Sequence, residues 1–164
     1  MGKITYAIDF GTSNSLLAAA CEGKALPPIP LDKDARDPTI LRSVLFFPSR
    51  ERCFFGTEAI QEFVKHDMYG RFIRSIKKFL PMRHFLGPQI GNRTLSIEEI
   101  ISTFLREMRA RANDYFQADV DQVVLGRPAL FSEDAGEDSL AEERLRRAAN
   151  LAGFRHVEFC PEPV

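Results

Sequence analysis

The sequence predicts an α/β fold on a mixed sheet, with three antiparallel strands first and parallel strands with helices after them. Two patterns predict it. Short strand-like runs separated by turns with Gly, Ser and Asn fill residues 1–30, and from residue 95 onward a helix, a strand, a helix and a strand follow in turn. A strand, a crossover helix and a further strand require the two strands to lie parallel. The irregular stretch between these halves, about 31–94, reads as a small inserted subdomain, so that 1–30 and 95–164 form the core.

Residues 4–10 read as the first strand, Gly11-Thr12-Ser13-Asn14-Ser15 as a turn, and residues 16–21 as the returning strand. A second turn at Glu22-Gly23-Lys24 leads into residues 25–30, whose prolines suit an edge strand. Residues 31–39 read as loop, and 43–47 and 53–56 as short strands. Thr57 is placed to cap a helix reaching about Lys65, with Ala59, Ile60, Phe63 and Val64 on its apolar face. A shorter helical piece covers about 75–80.

The clearest helix begins after Ser96. Ser96 and Glu99 form a capping-box pattern, and Ile97, Ile100, Ile101, Phe104, Leu105 and Met108 repeat at helical spacing. Residues 121–126 are a β-branched run closed by Arg127-Pro128. An acidic loop over 132–138 then precedes a second capping-box pattern, Ser139 with Glu142, predicting a helix from there to about Ala152 with Gly153 at its C′ position. Residues 155–160 return as a strand. The last eight residues, Val157-Glu158-Phe159-Cys160-Pro161-Glu162-Pro163-Val164, lack a polar tail, and the expectation is of a chain cut within a larger protein.

Composition narrows the function classes. With 164 residues, 45% hydrophobic and 27% charged, the chain has the make-up of a soluble globular protein. Its 22 Lys and Arg against 23 Asp and Glu leave a formal net charge of −1, which argues against a nonspecific nucleic-acid binder. No apolar run approaches a bilayer span, Asp9 interrupts the only candidate signal region, and Tyr6 stands where a myristoylation motif after Gly2 needs Ser or Thr. Cys21, Cys53 and Cys160 are odd in number and widely spaced, as expected for reduced thiols in a cytoplasm. His66, His84 and His156 have no metal-ligand spacing, and Asp119 and Asp121 read as delimiting the following strand.

The segment richest in chemistry is Asp9-Phe10-Gly11-Thr12-Ser13-Asn14-Ser15. A tight turn with Gly lets backbone amides approach a phosphate, Thr12, Ser13 and Asn14 add side-chain donors, and Asp9 at the strand end can hold Mg²⁺ through water. The same residue types build ordinary hairpins, so composition leaves both readings open.

Residues 8–15 resemble the first phosphate loop of the actin-like ATPases, and the Gly-Thr-Ser-Asn-Ser wording resembles the DnaK-type heat-shock chaperone family in particular. Ile76-Lys77-Lys78-Phe79-Leu80 resembles the family segment with its catalytic lysine. Val123-Val124-Leu125-Gly126-Arg127-Pro128, residues 147–154 and Pro161-Glu162-Pro163 resemble the strand, helix and Glu-Pro turn that follow. The Gly-Arg-Pro and Ala-Gly-Phe wording is similar to the YegD-like branch. The resemblance implies an actin-like, ribonuclease H-like N-terminal lobe that binds ATP or ADP with Mg²⁺. Within it Asp9 would hold the Mg²⁺ water shell, Gly11, Thr12, Ser13 and Asn14 would cradle phosphates, Lys77 would stabilise the transferring phosphoryl, and Glu162 would position the attacking water. Pro128 would relay nucleotide state to other domains, and the full-length protein would act on client proteins.

The family's second phosphate loop, an Asp-x-Gly-Gly-Gly-Thr-like hairpin, and its adenosine motif do not occur in these residues, so the resemblance implies half of an ATPase site whose second lobe is absent. Other departures are the long acidic stretch 131–143, Pro81 where a glycine is expected, and Glu142 or Glu143 near the place of an expected arginine, with Arg144 close by. Two alternatives remain: a sugar- or acetate-kinase lobe of the same fold, or a non-enzymatic protein- or nucleic-acid-binding module. The module would use the basic run Arg71, Arg74, Lys77, Lys78, Arg83 and His84 with Phe72, Phe79 and Phe85 between, although the helical spacing of those rings fits a core better.

Overall fold

A computed structural model describes residues 2–162. Its main sheet starts from β1 (Ile4–Phe10) and β2 (Asn14–Cys21), an antiparallel pair in register from Ile4 opposite Cys21 to Phe10 opposite Ser15. β3 (Lys24–Ala25) and β4 (Leu41–Arg42) both pair with β2. The expected edge strand over 25–30 shrinks to β3. Leu26 and Ile29 still donate to the carbonyls of Ala19 and Leu17 at 2.8 and 2.9 Å, but Pro27 and Pro28 between them have no N–H, so no regular ladder forms.

A second sheet holds β5 (Val44–Ser49), β6 (Arg52–Phe55) and β7 (Arg71–Arg74) in the order β6-β5-β7, with α1 (Gly56–Lys65) against it. Thr57 does not cap α1. Its N–H donates at 2.8 Å to Oδ2 of Asp32, a buried carboxylate from the loop ahead of β4, which replaces a local cap with a distant one. Ile76–Phe79 form a 3₁₀ turn, and β8 (Gln89–Ile90) with β9 (Arg93–Thr94) make a small hairpin.

α2 (Ile97–Phe116) begins as the pattern predicts. Ser96 Oγ accepts from the Glu99 N–H at 3.1 Å, and Glu99 Oε2 accepts from the Ser96 N–H at 2.8 Å. β10 (Gln122–Arg127), α3 (Ala135–Leu151) and β11 (His156–Pro161) complete the crossover, with β10 parallel to both β1 and β11. α3 starts earlier than Ser139. Asp134 is its N-cap, accepting from the Glu137 N–H at 2.8 Å, and Glu137 and Asp138 place negative charge in the first turn where the helix dipole favours it. The acidic stretch is therefore mainly helix start. Gly153 follows the helix with φ +102°, as a C′ residue does.

The main sheet has the order β11-β10-β1-β2-β3, with β4 also on β2. Its two faces differ. Tyr6, Ile8, Phe10, Leu17, Val123 and Leu125 are buried in one apolar cluster with Ile100, Phe104 and Met108 of α2 and Leu145 of α3. Leu45, Phe55 and Ile73 of the second sheet belong to that cluster too, with the Phe104 ring 6.4 Å from Phe55 and 5.9 Å from Phe10. On the other face, Ala7, Asp9, Leu16, Ala18, Val124 and Gly126 border an open depression of about 460 Å³.

Candidate functional site

The turn after β1 is set by packing. A Cβ on Gly11 would collide with the Asn14 carbonyl oxygen, a backbone atom with little freedom to yield. The Ser13 carbonyl accepts from the Ser43 N–H at 2.9 Å, and the buried Ser15 and Ser43 hydroxyls share a 2.8 Å hydrogen bond. Strand alternation buries Ile8 and Phe10 and leaves Asp9 exposed on the open face.

Lys77 owes its position to its neighbours. Ser75 takes a left-handed conformation, φ +57°, and starts the 3₁₀ turn, in which Ile76 is buried as is Leu80 just beyond it. The Lys77 side chain is only 10% exposed, whereas Lys78 faces solvent. Lys77 Nζ donates to Glu162 Oε1 at 3.3 Å. Arg144 of α3 locks the end of the segment by donating to the carbonyls of Leu80 and Met82 at 2.9 and 3.0 Å. The basic run does not form one continuous helix: only Lys77 and Lys78 lie in the 3₁₀ turn. Arg71 and Arg74 lie on β7, Phe72 stacks on Phe63 at 4.8 Å, and Phe79 stacks on Phe85 at 4.1 Å.

β11 delivers Glu162. Its final pair sets Pro161 beside Arg127, and the Glu162 N–H donates to the Arg127 carbonyl at 2.6 Å. Thr12, Lys77, Pro128 and Glu162 consequently line one depression of about 260 Å³, with Lys78, Pro81, Leu130 and Phe131 completing its wall. Glu162 also borders the larger depression that holds Asp9. Asn14 stands apart, in register with Arg42 and lining a different hollow with Arg36 and Arg42.

Sequence reasoning assigned no role to Arg127, which lies at the end of β10 with its side chain 14% exposed. Its guanidinium pairs with Asp138 at 2.9 Å and with Glu142, and sits 5.2 Å from the centre of the Phe131 ring. The Phe131 N–H and then Arg127 hold the Asp138 carboxyl below the usual carboxylate range. The only signal in the sequence was the coincidence of a Gly-Arg-Pro strand end with a following acidic run.

No protein-family model matches the chain. It is similar to a chaperone protein HscA homolog of Delftia acidovorans, 29% identical over 99% of this chain and 28% of that protein. An HscA homolog of Rickettsia rickettsii is 24% identical over 99% of the chain, and the chaperone protein DnaK of Thermosipho melanesiensis is 24% identical over 96%. These are distant relatives, named as HscA and DnaK chaperones. The chain spans about a quarter of their length, 27% of the Rickettsia protein and 24% of the Thermosipho DnaK. The mixed sheet with its three helices is compatible with the N-terminal actin-like lobe of such DnaK-type proteins. Among the described residues no helix is long and apolar enough to cross a membrane.

Proposed function

We propose that the chain is the N-terminal lobe of the ATPase domain of a DnaK-type chaperone of the YegD-like branch, with 1–30 and 95–164 as its core and about 31–94 as an inserted subdomain. One observation carries the reading: Thr12, Lys77, Pro128 and Glu162, drawn from four distant segments, line the same small depression. An ordinary hairpin and a solvated lysine give no reason for that meeting.

In this reading the Gly11 turn presents backbone amides with the Thr12 and Ser13 side chains to the β- and γ-phosphates of ATP, and Asn14 faces the neighbouring hollow with Arg36 and Arg42. Lys77 carries its charge into the pocket at little exposure and stabilises negative charge on the transferring phosphoryl. Glu162, 38% exposed, keeps a face free to orient the attacking water while Lys77 holds its Oε1. Pro128, with fixed φ at the exit of β10, transmits a shift of the pocket wall to the rest of the protein.

Among the described residues no cluster of three or more His, Cys, Asp or Glu side chains could hold a metal alone. The exposed Asp9 carboxylate does fit a water-bridged Mg²⁺, which keeps most of its hydration shell and would neutralise phosphate charge when bound. The depression opens to solvent, so its charges are screened until a second lobe closes over it. The full-length protein would then couple ATP hydrolysis to work on client proteins in a cytoplasm.

Lys77→Ala in the full-length protein is expected to lower single-turnover ATP hydrolysis by about 100-fold or more, and an unchanged rate removes the assignment. For the 164-residue chain alone, calorimetry with Mg·ATP should give weak or no binding. Micromolar affinity would contradict a half-site.

A further inference from the structure

We propose that Arg127 is the positioning residue of this pocket, its side chain clamping the Pro128–Phe131 wall to α3 while its backbone carbonyl holds Glu162. The inference rests on the reading of Lys77 and Glu162 given above and adds to it a reason why wall and carboxylate stay in register.

The contacts converge on one guanidinium. Nε donates to the Pro128 carbonyl at 3.1 Å and Nη2 to the Ala129 carbonyl at 3.4 Å, so the first two residues of the wall hang from the same side chain. Nη2 also reaches both Asp138 oxygens at 2.9 and 3.0 Å, and Nη1 reaches Glu142 Oε2. Asp138 Oδ1 in turn accepts from the Phe131 N–H at 2.7 Å, while the Phe131 ring lies against the guanidinium. The wall is thus tied at Pro128, Ala129 and Phe131, and both ties to the helix pass through Arg127 or its partner. On the main chain, the Arg127 carbonyl takes the Glu162 N–H at 2.6 Å. Pocket wall, water-orienting carboxylate and α3 therefore meet at one residue.

The chemistry requires arginine. A planar fork with several donors can serve two carbonyls and two carboxylates together, whereas a lysine ammonium is a point donor on a flexible stem. Burying such a group is poorly repaid as stability, because desolvation offsets the attraction, and well-packed apolar residues would hold a loop as well. Fixing geometry is what the fork does better than an apolar contact.

The test is Arg127→Lys beside Lys77→Ala in the full-length protein, read by nucleotide affinity, single-turnover hydrolysis and amide hydrogen exchange at Phe131 and Glu162. Arg127→Lys is expected to leave nucleotide affinity within about threefold, to slow hydrolysis by tenfold or more, as small misplacements in a reacting site do, and to speed exchange at the Phe131 amide, while the Glu162 amide, whose acceptor is the unchanged Arg127 main-chain carbonyl, serves as the internal reference. If Lys77→Ala abolishes hydrolysis while Arg127→Lys leaves the rate unchanged, the positioning role is overturned and the site reading stands. If Lys77→Ala leaves hydrolysis intact, the site reading falls, and unchanged exchange at Phe131 in Arg127→Lys would overturn the clamp as well. Should Arg127→Lys fail to fold, Glu142→Gln keeps the arginine and removes one of its charged partners. The same split between affinity and rate is then expected at smaller size, and its absence counts against the proposal.

Discussion

Two neighbouring parallel strands, β1 and β10, end at the same pocket and leave it by opposite means. After β1 the chain turns within a few residues, held by the lack of room at Gly11 and by main-chain bonding between Ser43 and Ser13. After β10 it runs from Pro128 to Asp134 before α3 begins, held by Arg127, Asp138 and Glu142. The first loop is a steric object and the second an electrostatic one. Packing responds to volume and is nearly indifferent to salt and pH, while exposed or half-buried charges respond to both.

The first loop breaks by adding one methyl group. Gly11→Ala puts a Cβ against the Asn14 carbonyl oxygen, and since that atom is main chain the strand pair itself must shift. Overpacking of this kind is expected to cost about 3 kcal/mol, measured as a lowered midpoint in urea, with little change on adding salt. A cost near zero would mean that the turn is looser than its geometry indicates.

The second loop breaks with acid. The Phe131 N–H and Arg127 hold Asp138 below its ordinary pKa of 3.8, and the Glu137 N–H chiefly does the same for Asp134. A carboxyl whose folded pKa lies below the unfolded one contributes stability that is complete above the unfolded value and is lost as pH falls through the folded value. The start of α3 should therefore be intact at neutral pH and loosen below about pH 3.8, with Phe131 losing protection while the Gly11 turn stays closed. A carboxyl-detected NMR titration reads both groups directly. Asp138 titrating at or above 3.8 would contradict the clamp.

The same division explains how much was legible in the sequence. The start and apolar stripe of α2 were legible because the stripe and the Ser96–Glu99 cap lie within a few residues of one another, whereas its end at Phe116 carried no such signal. The β1 turn was legible because one glycine marks it. Lys77 could be singled out through resemblance, but its burial against Glu162 depends on a partner 85 residues away, which no local pattern carries. β4, β7, β8 and β9 span two to four residues each, too short for an alternating pattern to stand out. Thr57 was read as a cap because a hydroxyl at a helix start normally is one, whereas the acceptor proved to be Asp32 from another loop. Arg127 escaped notice because its carboxylate partners lie 11 and 15 residues on, across a loop of unpredictable course.

The smallest effect discriminates most sharply between a pattern and its use. Ser96 and Ser139 are each followed by Glu three residues later, yet only Ser96 caps the start of a helix. Ser96→Ala removes an acceptor that the Glu99 N–H needs and is expected to cost about 1 kcal/mol. Ser139 is exposed within α3, where the N–H of Glu137 is already met by Asp134, so Ser139→Ala should change stability by no more than about 0.5 kcal/mol. Chemical denaturation of the two variants side by side reads the difference. Equal losses would mean that α3 begins at Ser139. In that case Asp138 would lie before the helix, and the charged loop after β10 would lose the rigid surface to which Arg127 ties it.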